Sequence, residues 1–568
     1  MNITYKGVIA PDQPISNTAF LDLLLKQRGV TDIESFLHPV SPLTLSLRDF
    51  GYGPEIAHTI ALLKDIRQKG KTVVVYTDYD ADGITGGSIV WEALHLLGFK
   101  VMPYVPHRQH EGYGFSKKGI DNVKRDFDPA LIISVDHGIT AVDQIAYAKS
   151  IGIPVIVTDH HHKQERIPEA AEAIFHIPLL SGSGVGYFFA KEMFNAFKVE
   201  MGQGPSLQKI EKYFSTDYLA LASIGTVADL VPLVGPSRSV VKFGLEAFPQ
   251  VSRAGIRHLC REAKISERVI TPYEIGFIIA PRINAVGRLE HALDALRLLC
   301  TTSDQKAFEL SSKVGKMNVD RQGLVKSSVA QAREMVEQQK ATADLPSILI
   351  LHSSEWHEGI IGLIASNLLE AYYRPVIVMT QSDGQLKGSA RSIPAFHMTH
   401  FFEELKDYFI NFGGHAGAAG FTIKKENLES FIEAAQALAA QKLTASDLER
   451  QLQVDLSISV SHLSMGLAKQ IESLSPFGIG NPQPSFVSEV EIISASLMGK
   501  DKTHLKLSVK DAVQSSFSLE MVAFGKADLF TQLSRGQKAK VAYQLDINRW
   551  NGRETLQGKV MHIECSSS

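Results

Sequence analysis

Thr72-Val73-Val74-Val75-Tyr76-Thr77-Asp78-Tyr79-Asp80-Ala81-Asp82-Gly83 runs an apolar, β-branched stretch straight into three carboxylates spaced two residues apart. A short unbroken apolar run of this kind reads as a strand buried on both faces, as in a parallel sheet. The pattern recurs downstream. LIISV (131–135) is followed by Asp136-His137-Gly138, and IPVIVT (153–158) by Asp159-His160-His161-His162. Helical patterns over Glu55–Lys69, Gly87–Leu97 and Ala141–Ser150 separate the strands, and strands alternating with helices indicate βαβ units. The fold class is therefore α/β, with a parallel-sheet domain expected at residues 48–250. Residues 1–47, with a helical segment at Phe20–Leu25 and the Pro-rich HPVSPLTL, read as a lead-in.

Beyond this domain the sequence continues through a helical linker region, 251–345. Its Ser303–Lys340 reads as one long helix with Phe308, Val314, Met317, Val325, Val329 and Val336 in its apolar stripe. A second, smaller α/β domain is expected at 346–445, opening with SILILH, continuing through a helix near Gly359–Ala371 and PVIVMT, and closing with helix Asn427–Ala440. From 450 to 568 the pattern changes to about five short strands with turns, which suits a small β-barrel such as an OB-fold.

Composition sets outer limits. At 568 residues, 44% hydrophobic and 21% charged, the chain is long enough for several packed cores and resembles a soluble globular protein. No segment is apolar for long enough to cross a bilayer, and MNITYKGVIA lacks a secretory pattern, so a cytoplasmic protein without a membrane partner is expected. The three cysteines, Cys260, Cys300 and Cys565, are far apart, which argues against a disulfide framework or a structural zinc site. A net charge of −3 excludes a protein basic over its whole surface, but not a local basic groove beside an acidic site.

Ligands of open α/β sheets bind beyond the carboxyl ends of the strands, which is where all three acidic and histidine clusters fall. Taken singly, DxDxDG can be a calcium-binding or solvated turn, and an Asp after a strand a helix cap. Together they point to a metal site. Crowded carboxylates cannot all stay ionised without compensation, and two divalent cations supply it. Mixed Asp and His ligands favour Mn²⁺, Fe or Zn²⁺ over Mg²⁺. Two such ions about 3.5–4 Å apart serve in-line phosphoryl displacement.

DYDADG, SVDHG, TDHHH and GTVADLVPL resemble the motifs of the DHH phosphoesterase superfamily. PRINAVGRLE, SEWHEGIIGLIASNL, KGSARSI and FGGHAGAAGF extend the resemblance, over nearly the whole chain, to its RecJ family of exonucleases. The resemblance implies a metal-dependent enzyme that degrades single-stranded DNA 5′→3′ to 5′-mononucleotides in DNA repair and recombination. Its direction of cleavage comes from the resemblance alone. Carried over by motif, Asp80 and Asp136 would hold one metal, while Asp82, Asp136, His160 and Asp229 would hold the other. Family members often have a His where this chain has Tyr76, and Asp78 is expected to fill that position. His161 would contact the scissile phosphate and Arg282 would counter transition-state charge, while His137 and His162 read as supporting residues. Mn²⁺ is the expected ion, with Mg²⁺ as an alternative.

For DNA, Arg108 would grip a phosphate and Tyr113 stack on a base. Arg282, Asn284 and Arg288 sit in PRINAVGR, expected as a turn before a helix. The second domain, which in this family faces the metal site across a cleft, offers Ser389, Arg391 and Ser392, and the Gly-rich stretch with Gly414 and His415. Trp356-His357-Glu358-Gly359-Ile360-Ile361-Gly362, read as helix, is expected to line the same cleft. In the barrel, Phe524, Tyr543 and Trp550 lie among basic residues, with Trp550 favoured for stacking because it adjoins an Asn-Gly turn. A monomer working with a helicase and a single-stranded-DNA-binding protein is the implied setting. Two alternatives stay open at this point: a phosphoesterase for short oligonucleotides or cyclic dinucleotides, and a non-catalytic DNA-binding scaffold.

Overall fold

The run at 72–77 folds as a strand inside a five-stranded parallel sheet. The computed structural model describes residues 2–9, 16–107, 111, 114–201, 204–342, 344–382, 384–512 and 517–565. Strand β1 (Asn2–Val8) lies apart from this sheet, which comprises β2 (Val73–Thr77), β3 (Val101–Tyr104), β4 (Leu131–Val135), β5 (Val155–Asp159) and β6 (Ala173–His176). The order is β3-β2-β4-β5-β6. Because β3 is added outside β2 while later strands continue from β4, the winding reverses between β2 and β4. This is the switch point at which open α/β sheets form a crevice. Thr77 pairs with Val135, and Val135 with Thr158, so the three motifs leave the sheet at nearly one level. β2, β4 and β5 are buried throughout, as their unbroken apolar runs require.

One sheet face is covered by a core that includes Tyr76, Phe115, Ile120, Ile145 and Val157. Against the rest of the domain pack helices Ala81–Leu96, Gly182–Phe197 and Asp217–Ala228. These helices approach closely through small residues. A Cβ on Gly225 would stand 2.1 Å from Ser183 Oγ and 2.2 Å from Asp82 Oδ1, so only glycine fits there.

The smaller α/β domain is built from β7 (Leu349–His352), β8 (Val376–Ser382), β9 (Gln385–Arg391), β10 (Phe409–His415) and β11 (Ala418–Lys424), ordered β10-β11-β9-β8-β7. Only β7 and β8 are parallel; the other pairs are antiparallel, β8–β9 and β10–β11 between strands consecutive in sequence and β9–β11 across the intervening β10. The long helix forms as Asp304–Thr342.

β12 (Gln451–Ser457) precedes a barrel of β13 (Ser485–Met498), β14 (His504–Asp511), β15 (Ser518–Ala523), β16 (Lys538–Trp550) and β17 (Arg553–Cys565). β13 pairs with both β14 and β16, so the circuit β13-β14-β15-β17-β16 closes on itself as an OB-fold. β12 and β1 extend the sheet beyond it. The N-terminal Phe20 and Leu24 join Leu456, Phe486 and Tyr543 in the barrel core. No helix among the described residues is long and apolar enough to cross a membrane.

Three local expectations are corrected. PRINAVGR is not a turn. It lies within helix Ala280–Leu289, entered without a break from the π-helical turn Ile275–Ile279. The reading of Trp356–Gly362 as helix starts too early, since the helix is Ile361–Tyr372 and Trp356 is instead buried with Nε1 donating to Gln331 Oε1 at 2.6 Å. The Gly-rich stretch, whose composition reads as a tight turn, is mostly strand β10, paired with β11.

By its contacts the chain divides into two compact units, one holding the parallel sheet and the barrel, the other holding the smaller α/β domain. Within the first, buried Arg238 donates to the carbonyls of Phe36 (2.7 Å), Ser475 (2.9 Å) and Pro476 (3.3 Å), tying the N-terminal, sheet and barrel segments together. Arg238→Met would leave these carbonyls without their donors. It is expected to cost roughly 2–4 kcal/mol and to lower the unfolding midpoint of this unit in calorimetry.

Candidate metal centre

Strand ends place the first carboxylates. The Asp78 amide donates to the Val135 carbonyl at 3.2 Å and the Asp136 amide to the Thr158 carbonyl at 3.0 Å, so both residues extend the ladder by one step. Asp136 then turns at φ +67°. Asp80 caps helix Ala81–Leu96, its Oδ1 accepting from the amides of Asp82 and Gly83 at 3.0 Å each. Asp82 accepts from the amides of Gly182 (2.6 Å) and Ser183 (2.9 Å), at the N-terminus of helix Gly182–Phe197. The free amides at the positive end of this helix fix the carboxylate in place. Asp229 ends helix Asp217–Ala228.

His160 closes the cluster. Its Nε2 lies 3.2 Å from Asp136 Oδ1, 3.4 Å from Asp229 Oδ2 and 3.9 Å from Asp82 Oδ2. Ligand atoms fall within 4.8 Å of one another in three groups: Asp78, Asp80 and Asp136; Asp82, His160 and Asp229; Asp136, His160 and His161. Burial and then the neighbouring carboxylates, Asp82 foremost, push the Asp80, Asp136 and Asp229 carboxyls upward. Burial holds the His160 imidazole below its usual value, hence neutral. Asp136 Oδ1 and His160 Nε2 are both buried without a hydrogen-bond partner among the described residues, though they face each other. Acceptor atoms that converge without protons to share are the donor set a divalent cation completes.

Behind the cluster, Asp159 accepts from the amides of Ile139 (2.8 Å), His160 (2.7 Å) and His161 (3.1 Å), and its Oδ1 lies 2.7 Å from His161 Nδ1. Burial opposes charge on His161, but the Asp159 contact outweighs it and raises the imidazole to about 9. His161 is thus a cation, with Asp159 fixing its ring. Sequence reasoning placed Asp159 in the cluster but missed this orienting role. It also missed the Gly182 and Ser183 amides, which carry no local signal at all.

Tyr76 points away from the cluster, its ring packed on Tyr104, Phe115 and His137. Asp78 accordingly stands beside Asp80 and Asp136. His137 is buried among these rings and pushed down to about 4, so it is neutral.

The DNA-directed residues are distributed more widely. Arg108 and Tyr113 lie outside the described residues. Arg282 Nε donates to Glu262 at 2.7 Å and Nη1 to the Ile278 carbonyl at 2.9 Å, so its described contacts are with these groups rather than with the cluster. Asn284 lies in the same helix. Arg288 donates to the Gly359 carbonyl at 3.1 Å. Arg391 Nη1 donates to Ser389 Oγ at 3.1 Å, and Gly362 leaves them room, since a Cβ there would stand 2.9 Å from Arg391 Nη2. His415 is held below its usual value by burial, then by Arg391 and His397. Gly414 serves the hairpin, at φ +151° with a hypothetical Cβ 2.3 Å from the Ala418 carbonyl. Ser392 is committed locally, its hydroxyl to the Phe396 carbonyl and its amide to that of Gly417. In the barrel, Trp550 is 72% exposed and Phe524 57%, whereas Tyr543 is core and bonds Ser488.

Asp136→Asn tests the electrostatic account. In EDTA the variant is expected to unfold at the same temperature as the parent or higher, because a buried repulsion is relieved. Mn²⁺ is expected to raise the midpoint of the parent and leave that of the variant unmoved, as scanning calorimetry would register.

Three family models match the chain: the DHH family N-terminal domain over residues 72–226, the DHHA1 domain over 345–441 and the RecJ OB domain over 454–562. The single-stranded-DNA-specific exonuclease RecJ of Haemophilus influenzae is 31% identical over 97% of this chain and 97% of its own length. The Bacillus subtilis protein of the same name is 33% identical over 87% of this chain, which spans 61% of that longer relative. The crystal structure of Thermus thermophilus RecJ in complex with Mn²⁺ superposes with a TM-score of 0.80 at 27% identity, covering 100% of this chain and 80% of that one. A structure of the same protein with Mg²⁺ gives a TM-score of 0.73 at 26% identity, over 100% of this chain and 79% of that one. With domain models, sequence identity and fold in agreement along its length, the chain belongs to the RecJ family.

Proposed function

We propose that this chain is a divalent-metal-dependent exonuclease that hydrolyses single-stranded DNA from the 5′ end and releases 5′-mononucleotides. The observation that carries this reading is the meeting of Asp78, Asp80, Asp82, Asp136, His160 and Asp229 at one sheet edge in a chain of the RecJ family. We assign two ions, Mn²⁺ preferred over Mg²⁺. Asp78, Asp80 and Asp136 would hold one, and Asp82, Asp136, His160 and Asp229 the other, with Asp136 common to both. Bound there, the ions would supply Lewis acidity toward the phosphodiester and make water a nucleophile near neutral pH.

The chain's own groups do the remaining work. His161, kept cationic by Asp159, would donate to a phosphate oxygen on which charge grows. The amides of Gly182 and Ser183 hold Asp82 in place, so the ligand set is organised before substrate arrives. Arg282 would join only by exchanging Glu262 for phosphate. Ser389 and Arg391 on β9 and His415 on β10, with β11 between the two strands, would take a terminal phosphate, with Gly414, Ser392, Asn284 and Arg288 as their support. Trp550 would stack on a base away from the centre. The enzyme would act as a monomer, with a helicase and a single-stranded-DNA-binding protein as partners.

A long single-stranded oligonucleotide labelled at either end, with Mn²⁺, Mg²⁺ or EDTA, tests the reading. Labelled mononucleotide is expected first from the 5′ end, abolished by EDTA and by Asp136→Ala. Release from the 3′ end would overturn the direction, and tight binding without cleavage would favour a scaffold. Faster turnover of dinucleotides than of long strands would move the substrate class to short oligonucleotides.

Two substitutions separate the roles. His161→Ala is expected to lower kcat about 10²–10³-fold with little change in KM. Trp550→Ala is expected to raise KM for long strands roughly tenfold at constant kcat. Steady-state kinetics on the same labelled substrate would distinguish these outcomes.

A further inference from the structure

We propose that Tyr273 and Phe277 form a base-stacking step for single-stranded DNA between the metal centre and the barrel, an inference that rests on the exonuclease reading. Their rings stack with centroids 5.0 Å apart and 30° between planes, yet the residues are 59% and 72% exposed. Phe277 sits in the π-helical turn Ile275–Ile279, and such turns are rare and concentrate at functional sites. Leaving two large apolar rings in water forfeits burial that a purely structural pair would take.

Position supplies the second line of argument. The turn packs on helix Asp217–Ala228, with a hypothetical Gly276 Cβ 3.8 Å from Val227 Cγ1, two residues before the candidate ligand Asp229. Leu230 follows Asp229 at φ +59° and is 67% exposed. On the other side, Val269 and Thr271 line one wall of a groove of about 650 Å³, and Glu472 and Ser473 line another. Glu472 holds Arg549 through Nη1 and Nη2 at 2.7 and 2.8 Å, and Arg549 precedes exposed Trp550. Exposed Leu230, Tyr273, Phe277 and Trp550 all belong to one compact unit, in which the Tyr273–Phe277 segment meets Val227 through Gly276 and adjoins the groove through Pro272.

The occupant follows from shape and chemistry. A stacked, exposed aromatic pair close to the helix that ends at Asp229, in the same unit as the exposed tryptophan of an OB-fold, fits a single strand. Stacking on it tolerates any base. Glu246 and Glu472, with Lys242, give the groove mixed charge, so it would receive bases rather than phosphates.

The test uses the full chain with Tyr273→Ala and Phe277→Ala combined, beside Phe277→Trp. Affinity is read by fluorescence anisotropy in EDTA and cleavage separately with Mn²⁺, for a dinucleotide and for a long single-stranded oligonucleotide. The gain in affinity that the parent shows on lengthening the substrate is expected to shrink about tenfold in the double variant and to be kept by Phe277→Trp. All the substituted side chains are exposed, and an unchanged thermal midpoint would verify folding. An unchanged length dependence in the double variant would overturn the proposal. So would an equal loss on both substrates, or a change only in self-association. Length-dependent loss of binding in a parent that cleaves nothing would retain the stacking step and defeat the exonuclease reading instead.

Discussion

The structure is organised around carboxylates that share one small space with too few protons and amides to satisfy them. Asp80, Asp136 and Asp229 are all pushed upward by burial and then by neighbouring carboxylates, Asp82 foremost. The energetic penalty falls on the metal-free protein. It is tolerated because strand ends, a helix cap and a helix N-terminus each fix one carboxylate independently. None of these anchors needs a cation, so the carboxylate positions are set by the fold.

That arrangement depends on close packing behind it. A Cβ on Gly182 would stand 2.3 Å from Asp136 Oδ1, and one on Gly225 2.2 Å from Asp82 Oδ1. Each glycine lets a helix backbone approach a carboxylate directly. The helix ends therefore act as both packing surface and electrostatic support. Asp159 plays the corresponding part for His161, with its own charge held by three backbone amides.

The barrel shows how far-apart segments complete one core. β1 and the helix after it are separated from β12 by more than four hundred residues, yet Phe20 and Leu24 pack with Leu456 and Phe486. The same core decides between two aromatics on one strand. Tyr543 pairs inward within β16 and is buried, while Trp550 stands beside the Asn551-Gly552 turn and is exposed. Both turn residues have positive φ, as a tight hairpin requires.

Local patterns in the sequence were enough to place the parallel sheet, the acidic motifs at its strand ends, the long helix and the five barrel strands. Apolar runs, helical periodicity and turn residues all act over a few neighbours, so they can be read without the fold. Asp229 was different. GTVADLVPL follows no strand, and only family resemblance joined it to the cluster. The tertiary structure alone decided that the Gly182 and Ser183 amides hold Asp82 from 100 residues away. It also decided that Glu262 engages Arg282, that PRINAVGR is helix, and that Arg238 ties three segments together. Each of these depends on which surfaces meet once the chain has closed, and spacing along the sequence carries no record of that.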